Sequence, residues 1–488
     1  MKTIFFSLII ISLVFGPYLL MAQEPVDNTI NAKIRDEGLN RSQVHKIFTH
    51  FTEVIGPRLT GSPAVKAADD YSLGLLKEWG LSNPHLEPWD FGRGWTLERS
   101  TVEMIEPRYM PLIGYPEAWS ASTPAEMVAT PIFIGNKTVA DLEKMKGQLK
   151  GAIVMSQPTQ DSFERIDRQQ PTLFDAPVVI GQPARPQGSS PMIASSAMNK
   201  VLFETGAAVI LRPNRGEHGT LFVLGRDNGN EAMPSIILSA EHYNMIARML
   251  ELGVKVKLRV NVQTKFHTDD KNGYNVLAEL PGSDLKDEVV MIGAHLDSWH
   301  AGTGAADNAD GAAVALEAMR ILKAIGAKPR RTIRMALWNG EEEGLLGSGK
   351  WVQKYLAGDA NKTARDKFDV YFNLDPGTGP IYGWYLENNV AVKPIFDAWL
   401  EPFKDLGARK NIIQPIGSTD HVSFNRAGAL GFNAVQDYDL YDTRIHHTNM
   451  DTYERVKPAD LQECAIVLAS FAYHAAMRKE KIPMSSAN

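Results

Sequence analysis

His295-Leu-Asp297 is followed, twelve residues after the His, by Asp307-Asn308. Further on come Asn339-Gly-Glu341-Glu342-Glu343-Gly344, then Asp375, then His446-His447. Most of these polar side chains stand just past an apolar run. Imidazoles and carboxylates arriving from separate strand ends are the donor set of a hydrolytic zinc site. A spare Glu beside a ligating Glu is what a water-activating base requires. Each fragment also has a plainer reading. A lone His at a strand end is commonly a satisfied polar residue, and Asp307-Asn-Ala-Asp-Gly reads as a helix cap or turn. Glu341-Glu342-Glu343 reads as a solvated acidic turn, and His446-His447 as a surface pair. What argues against all of these together is their context, since the Glu triplet sits between the apolar Met335-Ala-Leu-Trp338 and Gly344-Leu-Leu-Gly.

These side chains need elements to aim them. From about residue 266 the pattern runs strand, helix, strand. Strands are expected at 289–294, 332–338 and 370–374, and helices at 309–327, 344–356 and 458–477. Apolar strands alternating with helices imply a parallel or mixed sheet covered on both faces, a three-layer α/β/α domain. Ligands of such sheets bind beyond the carboxyl ends of the strands. His295 and Asp297 follow the first expected strand, Glu341 and Glu342 the second, and Asp375 ends the third, so three strand ends deliver polar groups to one edge. Buried carboxylates gathered there would need cations to neutralise them. Asp297, two residues past His295, projects from the same side if the strand continues and could orient the imidazole.

Upstream, residues 24–79 read as mostly helical around the turn Ile55-Gly-Pro-Arg-Leu-Thr-Gly61. From 120 to 265 the texture changes to short β-like runs, interrupted by a Gln- and Pro-rich stretch from 157 to 191 with turn composition. It contains no cluster of metal-ligand residues. This segment is read as a separate, mostly β module inserted into a discontinuous main domain of 23–119 and 266–488.

Composition bounds the class. With 488 residues, 44% hydrophobic and 22% charged, the chain is long enough for two domains. A net charge of −6 without a basic block excludes nucleic acid as an expected partner. Lys2 followed by the apolar run 4–20 and Met21-Ala22-Gln23 reads as an export signal over residues 1–22. Secretion or a periplasmic location is the expectation, with an uncleaved anchor as the alternative and no stable membrane partner after cleavage. The single cysteine, Cys464, can form no disulfide within the chain and lies in an apolar run, as a buried small hydrophobe does.

Several motifs together resemble the co-catalytic dizinc exopeptidases of the aminopeptidase S and carboxypeptidase Q (plasma glutamate carboxypeptidase) type. They are Gly293-Ala-His295-Leu-Asp297-Ser-Trp299, Gly304-Ala-Ala-Asp307-Asn308, Glu341-Glu342-x-Gly-Leu-Leu-Gly-Ser348 and Asn373-Leu-Asp375. Ser418-Thr-Asp420-His421, His447-Thr-x-x-Asp451-Thr452 and the early Ile55–Ser62 turn extend the likeness over nearly the whole chain. His-Leu-Asp-Ser-Trp and the doubled His are most similar to the carboxypeptidase Q subgroup, and the insertion resembles a protease-associated domain.

The resemblance implies two Zn²⁺ ions per chain. It implies His295 and Asp375 on one, Glu342 and His447 on the other, Asp307 bridging both through a residue whose bond to Asn308 is cis, and Glu341 as general base. Asp297 would support His295, Asp420 and His421 would lie near the pocket, and His446 stands where some members carry a Tyr that can stabilise the oxyanion. The activity so implied is hydrolysis of peptide bonds at the ends of short peptides or in dipeptides, by metal-activated water and a Glu base. Homodimers occur in the family. Two rivals share the fold: a single-zinc glutaminyl cyclase, which would dispense with His295, and a non-catalytic binding protein, which would be expected to lack ligands or the base. The retention of every position in this sequence favours the peptidase.

Overall fold

A computed structural model describes residues 24–168 and 191–485. The expected export signal and much of the Gln/Pro-rich stretch lie outside the described residues. The main sheet has seven strands: β1 Ser82–Asp90, β2 Asn272–Leu280, β3 Leu285–His295, β4 Arg331–Trp338, β5 Phe368–Asn373, β6 Thr378–Tyr385 and β7 Gly431–Asp437, in the spatial order β1-β2-β4-β3-β5-β7-β6. The inner strands β4, β3, β5 and β7 are parallel, while β1, β2 and β6 pair antiparallel. The sheet is therefore mixed.

Period-two alternation explains how one sheet serves two helical layers. Val290 and Ile292 of β3, Ile333, Met335 and Leu337 of β4, and Val370 and Phe372 of β5 face one core. Met291, Ala336, Trp338 and Tyr371, the residues between them, face the other. The first core is closed by helices α1 Asn28–Asn40, α2 Val44–Thr49, α3 Pro63–Glu78, α4 Asp310–Ala324 and the closing α7 Pro458–Met477. The second is closed by α5 Leu346–Tyr355 and α6 His421–Arg426, through Trp351 and Phe424. Strands buried on both faces read as continuous apolar runs, which is why β3, β4 and β5 stand out in the sequence. Strands β1 and β6 carry Pro84, Pro88 and Pro380. Proline lacks the N–H that an inner strand must donate; neither segment is among the strands expected from the sequence, and they form the two edges.

Two smaller sheets sit between β1 and β2. One has four antiparallel strands built on the long pair Gly94–Glu106 and Lys257–His267. The other has five, of which Ile132–Phe133, Ile153–Met155, Val209–Pro213 and Ser235–Leu238 run parallel. Helix Ala240–Glu251 covers them, sharing a core with Val102, Met104, Leu258 and Val260. We propose 94–267 as the span of this inserted unit. The pairing of 94–106 with 257–267 ties residues ahead of 120 into its core, and its parallel strands and helices give it α/β rather than mostly β character. The reading of 120 as a start comes from a change in local texture, which a long strand pairing across 150 residues does not produce.

Candidate metal centre

Register brings the expected residues together. In the parallel pair β3/β4, His295 stands opposite Trp338, and in β3/β5 Gly293 stands opposite Asn373. All three strands therefore end at one level, and the turns beyond them place Asp297, Glu341, Glu342 and Asp375 around one point. Asp307 arrives from the turn before α4. That helix begins at Asp310 with Ala309 as its cap, so Asp307 does not cap it. Its carboxylate is turned into the cluster instead, and its bond to Asn308 is cis.

Asp307 divides its two oxygens between two groups. Oδ1 lies 3.2 Å from His295 Nε2, which is itself 3.8 Å from Asp375 Oδ1. Oδ2 lies 3.5 Å from His447 Nε2, which is 2.8 Å from Glu342 Oε2. His295, Asp307 and Asp375 offer ligand atoms all within 4.8 Å of one another, and so do Asp307, His446 and His447. Yet His295 Nε2, Asp307 Oδ2 and both carboxyl oxygens of Glu342 are buried without a hydrogen bond. Close approach without hydrogen-bond geometry means that lone pairs converge on common points. Buried anionic oxygens left unpaired cost several kcal/mol each, so the donor set fits divalent cations.

The electrostatics agree. Burial disfavours a charged imidazolium at His295, but Glu341, Asp297, Asp307 and Asp375 together outweigh it and push its pKa well above the usual value. Burial also opposes ionisation of Asp307, yet the His295 ring 3.2 Å away and the nearness of His447 hold it below the ordinary carboxylate range. Burial raises Glu342 and Glu341 well above that range, and neighbouring carboxylates add to the effect: Asp307 at Glu342, and Asp375 and Asp420 at Glu341. His447 is lowered by burial.

The supporting residues fall into place around this set. His295 Nδ1 donates to the main-chain oxygen of Asp297 at 3.1 Å, which leaves Nε2 as the free lone pair. The Asp297 carboxylate, 3.5 Å from the same ring nitrogen, is occupied otherwise. It accepts from the Thr60 hydroxyl at 2.9 Å and lies against the amides of Glu341 and Glu342. Asp420 is fully buried with neither oxygen hydrogen-bonded; burial brings its pKa to about 7, with His295 opposing and Asp297 and Asp375 adding. His421 pairs with Glu387, Nε2 to Oε1 3.3 Å, rather than with any of the clustered carboxylates. His446 stacks between Tyr441 and His447, its ring 3.6 Å from that of His447. Burial first and the His447 charge second take its pKa to about 3, so it is neutral.

Three contributors carry no assigned role in the sequence reading. Asp451 accepts from the amides of Ala306 and Asp307, 2.8 and 3.2 Å, and so fixes the turn that carries the Asp307 carboxylate. Arg58, wholly buried, donates to the carbonyls of Leu296, Thr303 and Gly304. Thr60 joins Asp297 to the amide of Gly340. The early Ile55–Ser62 turn is thus a brace under the centre. Its Gly- and Pro-rich composition marks a turn, but nothing local shows what it braces.

Residues 275–472 match the model of peptidase family M28. Human carboxypeptidase Q is 24% identical over 459 residues, covering 93% of this chain and 89% of its own length. A peptidase M28 precursor from Shewanella amazonensis has a similar structure, with a TM-score of 0.69 and 25% identity over 94% of this chain and 99% of its own. BSAP, a zinc aminopeptidase from Bacillus subtilis, shares the fold with a TM-score of 0.60 at 18% identity, over 91% and 96% of the two chains. Every member of the converging donor set lies inside the span that resembles peptidase family M28.

Proposed function

We propose that the centre holds two zinc ions and hydrolyses the terminal bond of short peptides that have free ends. The chain is a zinc-dependent metallo-exopeptidase. The number of ions and the assignment of residues are our reading: His295 and Asp375 on one side, Glu342 and His447 on the other, and Asp307 between them. One observation carries it, the division of the Asp307 oxygens between His295 and His447 while the facing lone pairs stay without hydrogen bonds.

Bound zinc lowers the pKa of a water to about 7 and polarises a carbonyl. The chain supplies the rest. Glu341, next to Glu342 in the turn after β4, takes the proton from the attacking water and returns it to the leaving amine. Asp297 holds the Glu341 and Glu342 amides and, through its main chain, the His295 ring. Asp420 adds a further buried carboxyl whose charge acts on the cluster. To His446, stacked between Tyr441 and His447, we assign donation to a developing oxyanion.

Alignment over nearly the full length with carboxypeptidase Q supports short unblocked peptides as substrates. Residues 1–22 support export. The test is a metal count on purified protein with a panel of free dipeptides, amino-blocked peptides and carboxy-blocked peptides. Cleavage of the unblocked dipeptides, with two zinc ions per chain, is expected. Cleavage of peptides blocked at both ends would overturn the exopeptidase reading, and a single tightly bound ion would overturn the paired site.

A further inference from the structure

The loop that carries His447 is built by two parts of the chain far apart in sequence. Residues 438–451 run from the end of β7 past His446 and His447 to Asp451. Leu440 and His447 in this loop have left-handed backbones, φ +59° and +62°. Such conformations are unfavourable for residues other than glycine and persist where surrounding contacts impose them.

Those contacts come from the inserted unit. The Asp167 carboxylate accepts from the amides of Leu440 at 3.0 Å and Thr443 at 2.8 Å, gripping the turn at its left-handed start. Arg168 donates to Asp442 through its main-chain amide at 2.7 Å, Nε at 2.8 Å and Nη2 at 2.6 Å. Its guanidinium lies over the rings of Tyr438 and Tyr441, 4.8 and 5.3 Å from their centroids. Tyr441 stacks on His446, and His446 on His447. On the far side of the loop, Val223 N–H donates to the carbonyl of His447 itself at 3.1 Å, and Asn449 N–H to Leu221 at 3.1 Å, a short antiparallel bridge between the two units. The second left-handed residue is therefore held by the inserted unit at its own carbonyl.

We infer that the inserted unit is part of the metal centre. Asp167 and Arg168 are positioning residues that fix the His447 loop, and the affinity of the Asp307/Glu342/His447 position for its cation depends on them. The His295/Asp307/Asp375 position, built wholly from the ends of β3 and β5 and the turn before α4, does not. This rests on the two-ion reading above. Partners one shell out from a ligand typically alter metal affinity 10- to 100-fold.

The test uses the full chain, stripped of metal and titrated with Zn²⁺ against a chelating dye, then with Co²⁺ while its visible d–d absorption is followed. Wild type, Arg168→Ala, Asp167→Asn, the exchanged pair Arg168→Asp with Asp442→Arg, and His447→Ala are compared. In Arg168→Ala and Asp167→Asn one binding step is expected to weaken by at least tenfold, with a changed cobalt spectrum for that step only. The other step stays at its wild-type value, and the exchanged pair regains most of the loss. If both steps keep wild-type affinity in Arg168→Ala and Asp167→Asn while His447→Ala loses one, the inference is overturned and the paired site stands. If both steps weaken equally, the residues support folding generally and the inference is overturned as well. If His447→Ala itself retains both steps, the ligand assignment is wrong and the inference falls with it.

Discussion

At the scale of single residues, the centre depends on two adjacent glutamates doing different work. Glu342 has both oxygens buried and without hydrogen bonds, one of them 2.8 Å from the His447 ring. Glu341→Gln keeps the size and removes the basicity. Turnover is expected to fall by roughly 10²- to 10⁴-fold, with bound metal unchanged by elemental analysis; full activity would exchange the two roles. Asp451→Asn tests the brace beneath Asp307. An amide keeps one acceptor for the two amides that Asp451 receives but turns an NH₂ against the other. Metal affinity is expected to drop by about tenfold or more, measured by chelator competition, while His421→Asn, which alters a pair with Glu387, leaves it near wild type.

Elements set the precision with which those residues meet. Strand β3 lies between β4 and β5, and Gly293 sits two residues before His295. A Cβ on Gly293 would stand 2.3 Å from the carbonyl oxygen of Ala336 on β4, inside any tolerable contact. Gly293→Ala must therefore part β3 from β4 just where the register aligns His295 with the Glu341 turn. Overpacking of this kind typically costs about 1–3 kcal/mol. A lower urea midpoint with a loss of activity larger than the loss of folded protein is expected; unchanged activity would mean that strand spacing does not govern the site. The legibility of the elements divides along the same line. The inner strands β3, β4 and β5 and helices α4, α5 and α7 announce themselves by apolar runs and helical periodicity. The edge strands β1 and β6 do not, because an edge tolerates the prolines and glycines that mark a loop.

Across the whole molecule, the inserted unit meets the catalytic unit through Trp95, Trp119 and Trp299 and through His300. His300 Nε2 donates to the Pro116 carbonyl at 2.7 Å, while its Nδ1 is buried without a partner. Burial lowers its pKa to about 4, the Pro116 contact opposing weakly. The sign follows from linkage. The folded pKa lies below the unfolded value near 6.5, so the stability that neutral His300 supports is fully present above pH 6.5. It is lost as the pH falls towards 4, because the unfolded chain binds the proton first. The loss is on the order of 3 kcal/mol for a shift of this size. His300→Gln keeps an N–H donor and cannot titrate. In metal-free protein its urea midpoint is expected to fall less between pH 7 and 4.5 than that of wild type, and parallel curves would remove His300 as the cause.

The sequence alone determined the chemistry and the layered fold. Imidazoles and carboxylates after apolar strands can be read residue by residue, because the strand period and the donor set are local properties. Which residues brace that set was decided only by the tertiary structure. Asp451, Arg58 and Thr60 act through contacts that span up to 280 residues. The inserted unit reaches His447 through backbone hydrogen bonds, which any residue type can make and which therefore leave no mark on composition. Long-range main-chain pairing and the shared burial of two units are settled by packing, and no window of sequence contains both partners.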